Sequence, residues 1–239
     1  MNGGDSGGGK QIIYIARHGC RQDWVDKTWK YTAKNRHDPP LSEVGQAQAK
    51  EMAEFLKDSG ITHVLASPFT RTAHTAHEVA EALGLPVCIE PGLGEWMSHT
   101  IPQRLSPEEL KHVFERVDVD YKALIPTTGL ENAAALHRRC ERLAALIEER
   151  HFAAAEQEEK SPVLLLVGHA ASVIAICRAL LREPDLDCYP GACSLTKVVR
   201  YSSEESWTLE QAWDCSHLST GVEKPWRFPP RSRWAEQDQ

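Results

Sequence analysis

Two histidines, three arginines and one glutamate stand directly after short apolar runs in this 239-residue chain. Arg17-His18-Gly19-Cys20-Arg21 follows Ile12 to Ala16, and Ser67-Pro68-Phe69-Thr70-Arg71 closes the run that begins at His63. Gly94-Glu95-Trp96 comes shortly after Pro86 to Glu90, and Gly168-His169-Ala170 follows Pro162 to Val167. Arginine presents a rigid fork of donors that matches phosphate oxygens, and each charge-assisted bond of this kind contributes about 1.5 to 3 kcal/mol. Arg71 and His169 also fall in or just before the first turn of a helical pattern, where free backbone N–H groups favour an anion. The chemistry that these residue types support together is the binding and handling of a phosphoryl group. A metal site of His18, His169 and Glu95 is opposed by the flanking arginine charges and lacks the helical HExxH spacing. Neither GxGxxG nor GxxxxGK[ST] follows a strand, so dinucleotide and P-loop sites are excluded.

These residues meet only if the apolar runs are neighbouring strands. The uninterrupted Val163 to Val167 is what a strand covered on both faces needs. Helical stripes lie between and after the strands: Ala49, Met52 and Leu56; Ala73, Ala76, Ala80 and Leu83; Leu136, Cys140, Leu143 and Ile147; Val173, Ile176 and Leu180. Strand and helix alternate, which implies right-handed crossovers and a three-layer α/β/α sandwich with a mostly parallel central sheet. Ser194 to Tyr201 and Trp207 to Trp213 supply further strands. Ligands of such sheets bind beyond the carboxyl ends of the strands, where His18, Arg71, Glu95 and His169 converge.

The spacing divides the chain into a flexible Gly-rich lead (1–10), a single α/β domain (11–220) and a Pro/Arg/Trp-rich tail (221–239). Within the domain, Pro91 to Leu130 is an insertion with its own helix, marked by the capping box Ser106-Pro107-Glu108-Glu109. Such an insertion reads equally as a lid over the site or as surface elaboration. The tail reads either as a segment that packs its Trp residues or as a protein-partner segment.

Composition narrows the partners. With 27 Lys+Arg against 34 Asp+Glu the net charge is −7, so no general nucleic-acid surface is expected, and any anion site must come from a few residues. No stretch approaches the ~18 apolar residues of a membrane span, and MNGGDSGGGK has no apolar core of a signal peptide. Seven scattered cysteines without CxxC point away from a disulfide framework or structural zinc and toward a cytoplasmic or nuclear compartment. Neither metal nor cofactor is expected. Cys20 reads as a small packed residue, and His74 and His77 as structural. Trp24, Trp29 and Tyr31 form an aromatic wall of the site or bury their loop against the body.

Taken in order, these motifs resemble the histidine phosphatase superfamily, also called phosphoglycerate mutase-like, over nearly the whole chain. Its mark is an Arg-His-Gly at the end of the first strand. Leu41-Ser42 with Gly45, Gln48 and Ala49 looks like the family's L-[ST]-x-x-G-x-x-Q-A helix start, and Ser67-Pro68 with Arg71-Thr72 and Thr75-Ala76 like its S-P-x-x-R-[TA]-x-x-T-A element. Gly129, Glu131 and Arg138 match its G-x-E and a later arginine. The resemblance implies that His18 is a nucleophile forming a phosphohistidine, that Arg17, Arg71 and His169 bind the phosphoryl group, and that Glu95 protonates the leaving oxygen. Arg21 gives R-H-G-x-R, similar to the phosphatase branch that includes C-terminal domains of the ubiquitin-associated, SH3-containing T-cell signalling suppressors, and would be a further phosphate ligand. Mutases of the family carry G-H-G and E-R-x-Y-G, where this chain has Gly168-His169-Ala170 and Glu95-Trp96-Met97. With Gly191-Ala192-Cys193-Ser194-Leu195 and Trp226-Arg227-Phe228, these departures look like the phosphatase-like domain in a subunit of the fungal RNA polymerase III initiation factor. The expected substrate is a phosphorylated small molecule or phosphoprotein. An inactive interaction module within a larger complex is the alternative.

Overall fold

The computed structural model describes residues 9–153, 161–202 and 205–230. Its strands are β1 (Gln11–Arg17), β2 (His63–Ala66), β3 (Val87–Ile89), β4 (Val117–Asp118), β5 (Val163–Gly168), β6 (Leu195–Arg200) and β7 (Thr208–Asp214). They form one sheet in the order β4-β3-β2-β5-β1-β6-β7. Pairing is parallel from β4 through β1, whereas β6 runs antiparallel to β1, and β7 to β6. The helices are α1 (Gln22–Val25), α2 (Trp29–Thr32), α3 (Glu43–Leu56), α4 (Thr70–Leu83), α5 (Pro107–Val113), α6 (Ala133–Ile147) and α7 (Ala170–Leu181).

Alternation along the strands builds two cores. Ile13 and Ile15 of β1 and Leu164 and Leu166 of β5 share one face with Leu136 and Leu143 of α6 and Ile174 of α7. Tyr14, Ala16, Leu165 and Val167 point the other way, toward Met52 of α3 and Ala73 and Ala76 of α4. A strand covered on both faces has no polar side, which explains why every residue of β5 is buried. The expected three-layer α/β/α sandwich and its stripes are therefore present. Strand β4, two residues inside the insertion, is an addition: it is too short to show a period of two and extends the sheet beside β3. The capping box at Ser106 starts α5, whose Leu110 reaches the core. Among the described residues no helix is long and apolar enough to cross a membrane.

The described part of the tail lies against the domain. Ala192 donates from its N–H to the Glu223 carbonyl (2.8 Å), and the Arg178 guanidinium donates to the carbonyls of Phe228 and Pro229 (both 3.1 Å). Phe228 is buried, with ring centroids 5.1 Å from Trp96 and 5.2 Å from His137. Residues 231–239, and most of the Gly-rich lead, lie outside the described residues. Phe228→Ala is expected to remove about 3 to 5 kcal/mol of unfolding free energy in urea titration, the usual cost of deleting a buried ring. A loss below about 1 kcal/mol, typical of surface changes, would show that the tail is not docked.

Candidate active site

The end of β1 is held by an unusually close approach to α3. A Cβ at position 45 would stand 2.1 Å from the Cys20 carbonyl oxygen, and one at position 19 would stand 2.6 Å from the Gly45 carbonyl oxygen. Only glycine fits at either place. The Cys20 carbonyl accepts from the Ser42 N–H (2.9 Å), and the Cys20 N–H donates to Gln48 Oε1 (2.9 Å), while Ser42 caps α3 through Gly45 N–H (3.1 Å). On the other side Thr75 of α4 accepts from Gly19 N–H (3.2 Å). The backbone around His18 is thereby pinned by two helices, which orients the imidazole.

His18 and His169 are both buried, with ring centroids 5.3 Å apart. His18 Nδ1 lies 2.8 Å from its neighbour's carbonyl at Gly19. A carbonyl only accepts, so Nδ1 carries the hydrogen and a neutral ring keeps its lone pair on Nε2. His169 is fixed in the same way: Arg71 donates to Nδ1 (3.1 Å), which leaves Nε2–H to donate to Ser67 Oγ (2.8 Å). Ser172 holds the His169 backbone, accepting from its N–H (3.0 Å) and donating to the Leu93 carbonyl (3.0 Å), so β5 and the turn before Glu95 share one tether. Glu95, with its side chain 28% exposed, places Oε2 3.5 Å from His169 Nδ1 and 3.6 Å from Arg71. Its Oε1 accepts from Trp96 N–H (3.0 Å).

The charges are kept from water. Arg71 is 2% exposed and pairs with Asp38 (3.3 Å), whose carboxylate also accepts from the Thr70 N–H at the start of α4 (3.1 Å). Arg17 donates to the carbonyls of Pro190 (2.9 Å) and Lys224 (2.6 Å). Burial pushes both guanidinium pKa values down to about 10, so both stay charged at neutral pH. Burial, and then the Arg71 charge, hold His18 and His169 well below the ordinary imidazole value of 6.5. Two buried cations thus face two neutral imidazoles. The Nε atoms of Arg17 and Arg71 have no acceptor among the described residues, although both are shut off from solvent. Buried donors of that kind are costly unless an acceptor meets them, and a tetrahedral oxyanion supplies several. A cleft of about 260 Å³ opens onto Arg71 and is also lined by Arg21, Phe69, Glu95, Trp96 and His99.

A model of the histidine phosphatase superfamily (branch 1) matches residues 13–214. The chain belongs to that superfamily. It is 31% identical, over 90% of its length, to the transcription factor tau 55 kDa subunit of Saccharomyces cerevisiae, and 33% identical, over 68%, to the ubiquitin-associated and SH3 domain-containing protein A of Mus musculus. It spans 58% of the first and 27% of the second. A probable phosphoglycerate mutase of Yersinia pestis is 29% identical over 86% of the chain and is covered over 94% of its own length. Among solved structures, the ecdysone phosphate phosphatase of Bombix mori, in complex with tungstate, shares the fold with a TM-score of 0.67 at 20% identity, covering 95% of this chain and 99% of that one.

The structure brings together five of the six residues read from strand ends, His18, Arg17, Arg71, Glu95 and His169. The sixth, Arg21, lines the cleft, but Asp23 occupies its fork (2.9 and 2.6 Å), so its charge reaches the site while its donors are already shared. Arg139, not Arg138, turns inward, pairing with Glu131 (2.5 Å) and donating to the Gly92 and Gly94 carbonyls, while Arg138 is exposed. Glu131 is therefore the brace of the loop carrying Glu95, and its own carbonyl accepts from the Trp96 indole N–H (3.1 Å). Trp24 forms a wall, lying under Arg17 (5.1 Å) and Arg21 (5.2 Å), whereas Tyr31 is exposed. Asp38 was not identified from the sequence, because it comes from an irregular loop rather than a strand end.

Depressed histidines bind fewer protons in the folded chain than in the unfolded one. Their contribution to stability is complete above pH 6.5 and declines as the pH falls toward the folded values. In a proton NMR titration the two imidazoles stay neutral at pH 6.5, where an ordinary histidine is half protonated, and Arg71→Met moves both midpoints upward. Midpoints at or above 6.5 in the unaltered protein would contradict this electrostatic picture.

Proposed function

We propose that this protein is a metal-independent phosphomonoesterase that works through a phosphohistidine on His18. The observation that carries this reading is the pair of buried Nε donors, on Arg17 and Arg71, beside an imidazole whose tautomer leaves Nε2 free. In the first half-reaction Nε2 attacks phosphorus, the bond to the ester oxygen breaks, and Glu95 donates a proton to that oxygen. In the second, water attacks the phosphohistidine, the P–N bond breaks, and Glu95 takes the proton from water. Arg17 and Arg71 hold the equatorial oxygens, where charge must be stabilised in both steps, and His169 joins them when its Nε2–H turns from Ser67 to the phosphoryl group. Trp96 in place of the arginine that mutases carry after the acid supports hydrolysis over phosphoryl return to substrate. A second reading, a phosphate-binding module with little turnover inside a larger assembly, is favoured by the 31% identity to a transcription factor subunit.

Turnover of a generic aryl phosphate in the presence of EDTA separates the two readings. The wild type is expected to hydrolyse it, His18→Ala is not, and acid-quenched wild type carries base-stable, acid-labile label from the substrate. Label on another residue, or equal label in His18→Ala, would contradict the assignment.

Glu95→Gln should slow esters of poorly leaving alcohols by about 10² to 10⁴-fold, the usual contribution of general acid catalysis. An aryl ester, whose phenol leaves without much help, should lose far less. A defect of equal size for both leaving groups would remove Glu95 from the proton transfer.

A further inference from the structure

Behind the wall of the phosphate cleft lies a second and larger concavity, of about 570 Å³, that the reaction above does not use. The tripeptide Ser67-Pro68-Phe69 joins the two. Ser67 bonds His169, Phe69 lines the phosphate cleft, and Pro68 lines the second cavity with Ile89, Leu105 and Pro107. Its volume falls within the range of pockets that bury a ligand fragment, and its walls are largely apolar.

A cation stands at the shared wall. Arg104 lines the second cavity, and its guanidinium lies 5.9 Å from the Phe69 ring, which itself lies 4.8 Å from the His169 ring. The Arg104 fork is held open by Thr128, through Oγ1 (2.9 Å) and the carbonyl (3.2 Å). Among the described residues no carboxylate pairs with it, and the nearest one acting on it, Asp38, is engaged by Arg71 and Thr70. Lys122 adds a second cation to the same cavity. A partly buried guanidinium whose acting carboxylate is already bonded elsewhere regains little of its lost hydration, a deficit that an incoming carboxylate corrects.

We infer that this cavity is a specificity subsite for a phosphorylated polypeptide, in which an acidic residue meets Arg104 and its apolar neighbour fills the space beside Leu105. The inference rests on the phosphomonoesterase reading for its first pocket. The two ring distances put the Arg104 guanidinium within about 10 Å of His169, a span that at most about three extended residues cover. A small phosphate ester that fills the first cleft does not cover that span, whereas a peptide does. The loops around the sites also expose Ile101 (49%) and Leu130 (56%), apolar surface that suits a polypeptide partner.

The test uses the full chain and peptides in which a phosphorylated residue is followed or preceded, at two or three positions, by Glu-Leu or by Lys-Ser. Wild type should prefer the Glu-Leu peptides by about tenfold or more in kcat/KM, as expected for a charge-assisted bond. Arg104→Gln should erase the preference while leaving aryl phosphate turnover within about twofold, because Arg104 does not itself line the phosphate cleft. Ala123→Trp, which fills the cavity without altering charge, should weaken the Glu-Leu peptides alone. No preference in wild type, or an equal loss for peptide and aryl phosphate in Arg104→Gln, would overturn the subsite. If aryl phosphate is not turned over at all, the catalytic reading fails by itself. Calorimetric binding of the same peptides then decides: a Glu-Leu preference that Arg104→Gln abolishes supports the subsite, and equal affinities refute it.

Discussion

Two guanidinium groups kept almost entirely out of water, Arg17 and Arg71, impose most of the arrangement around them. Removing such a charge from solvent costs several kcal/mol unless partners replace the lost hydration. Arg71 receives carboxylates, Asp38 from the loop before α3 and Glu95 from the turn beyond β3. Among the described residues Arg17 donates to carbonyl oxygens, those of Pro190 and Lys224. The backbone bends to supply them: Lys224 has φ of 49° and Cys193, whose N–H donates to the His18 carbonyl, has φ of 50°. A residue with a Cβ in that region is strained by about 1 to 3 kcal/mol, and here the strain sits beside the buried guanidinium of Arg17.

The same constraint ties distant parts of the chain to one place. Lys224 belongs to the tail, and four residues later Phe228 packs on Trp96, the neighbour of Glu95. Glu223 accepts from Gln48 (2.8 Å), whose other amide atom holds Cys20 N–H. Tail, first strand and the loop of Glu95 are thus coupled through polar and ring contacts, a frame that fixes the buried charges relative to His18.

The residues legible in the sequence are those that follow strands, since the topology of a parallel sheet gathers strand ends and nothing else needs to be known. His18, Arg71, Glu95 and His169 are legible for this reason. Asp38 is not, because a loop carries it back to α4 only in three dimensions. The choice between Arg138 and Arg139 turns on helical phase: one residue rotates a side chain by about 100°, and the inward stripe of α6 decides which arginine faces Glu131. Arg21 shows the converse, a motif residue whose donors are diverted by Asp23 two positions on. The tail's composition left open whether it packs or recruits a partner. Its docked part is fixed by tertiary hydrogen bonds that no local pattern encodes.

On the proposed function, the buried arginines and His18 are arranged for a phosphoryl group in transit rather than for a resting anion. Inhibition by orthovanadate, which accepts a fifth ligand from Nε2, measured against inorganic phosphate, tests it most directly. A site complementary to the transition state binds vanadate at least about 10²-fold more tightly than phosphate and loses that advantage in His18→Ala. Equal constants for the two anions, or a preference that survives in His18→Ala, would contradict the account.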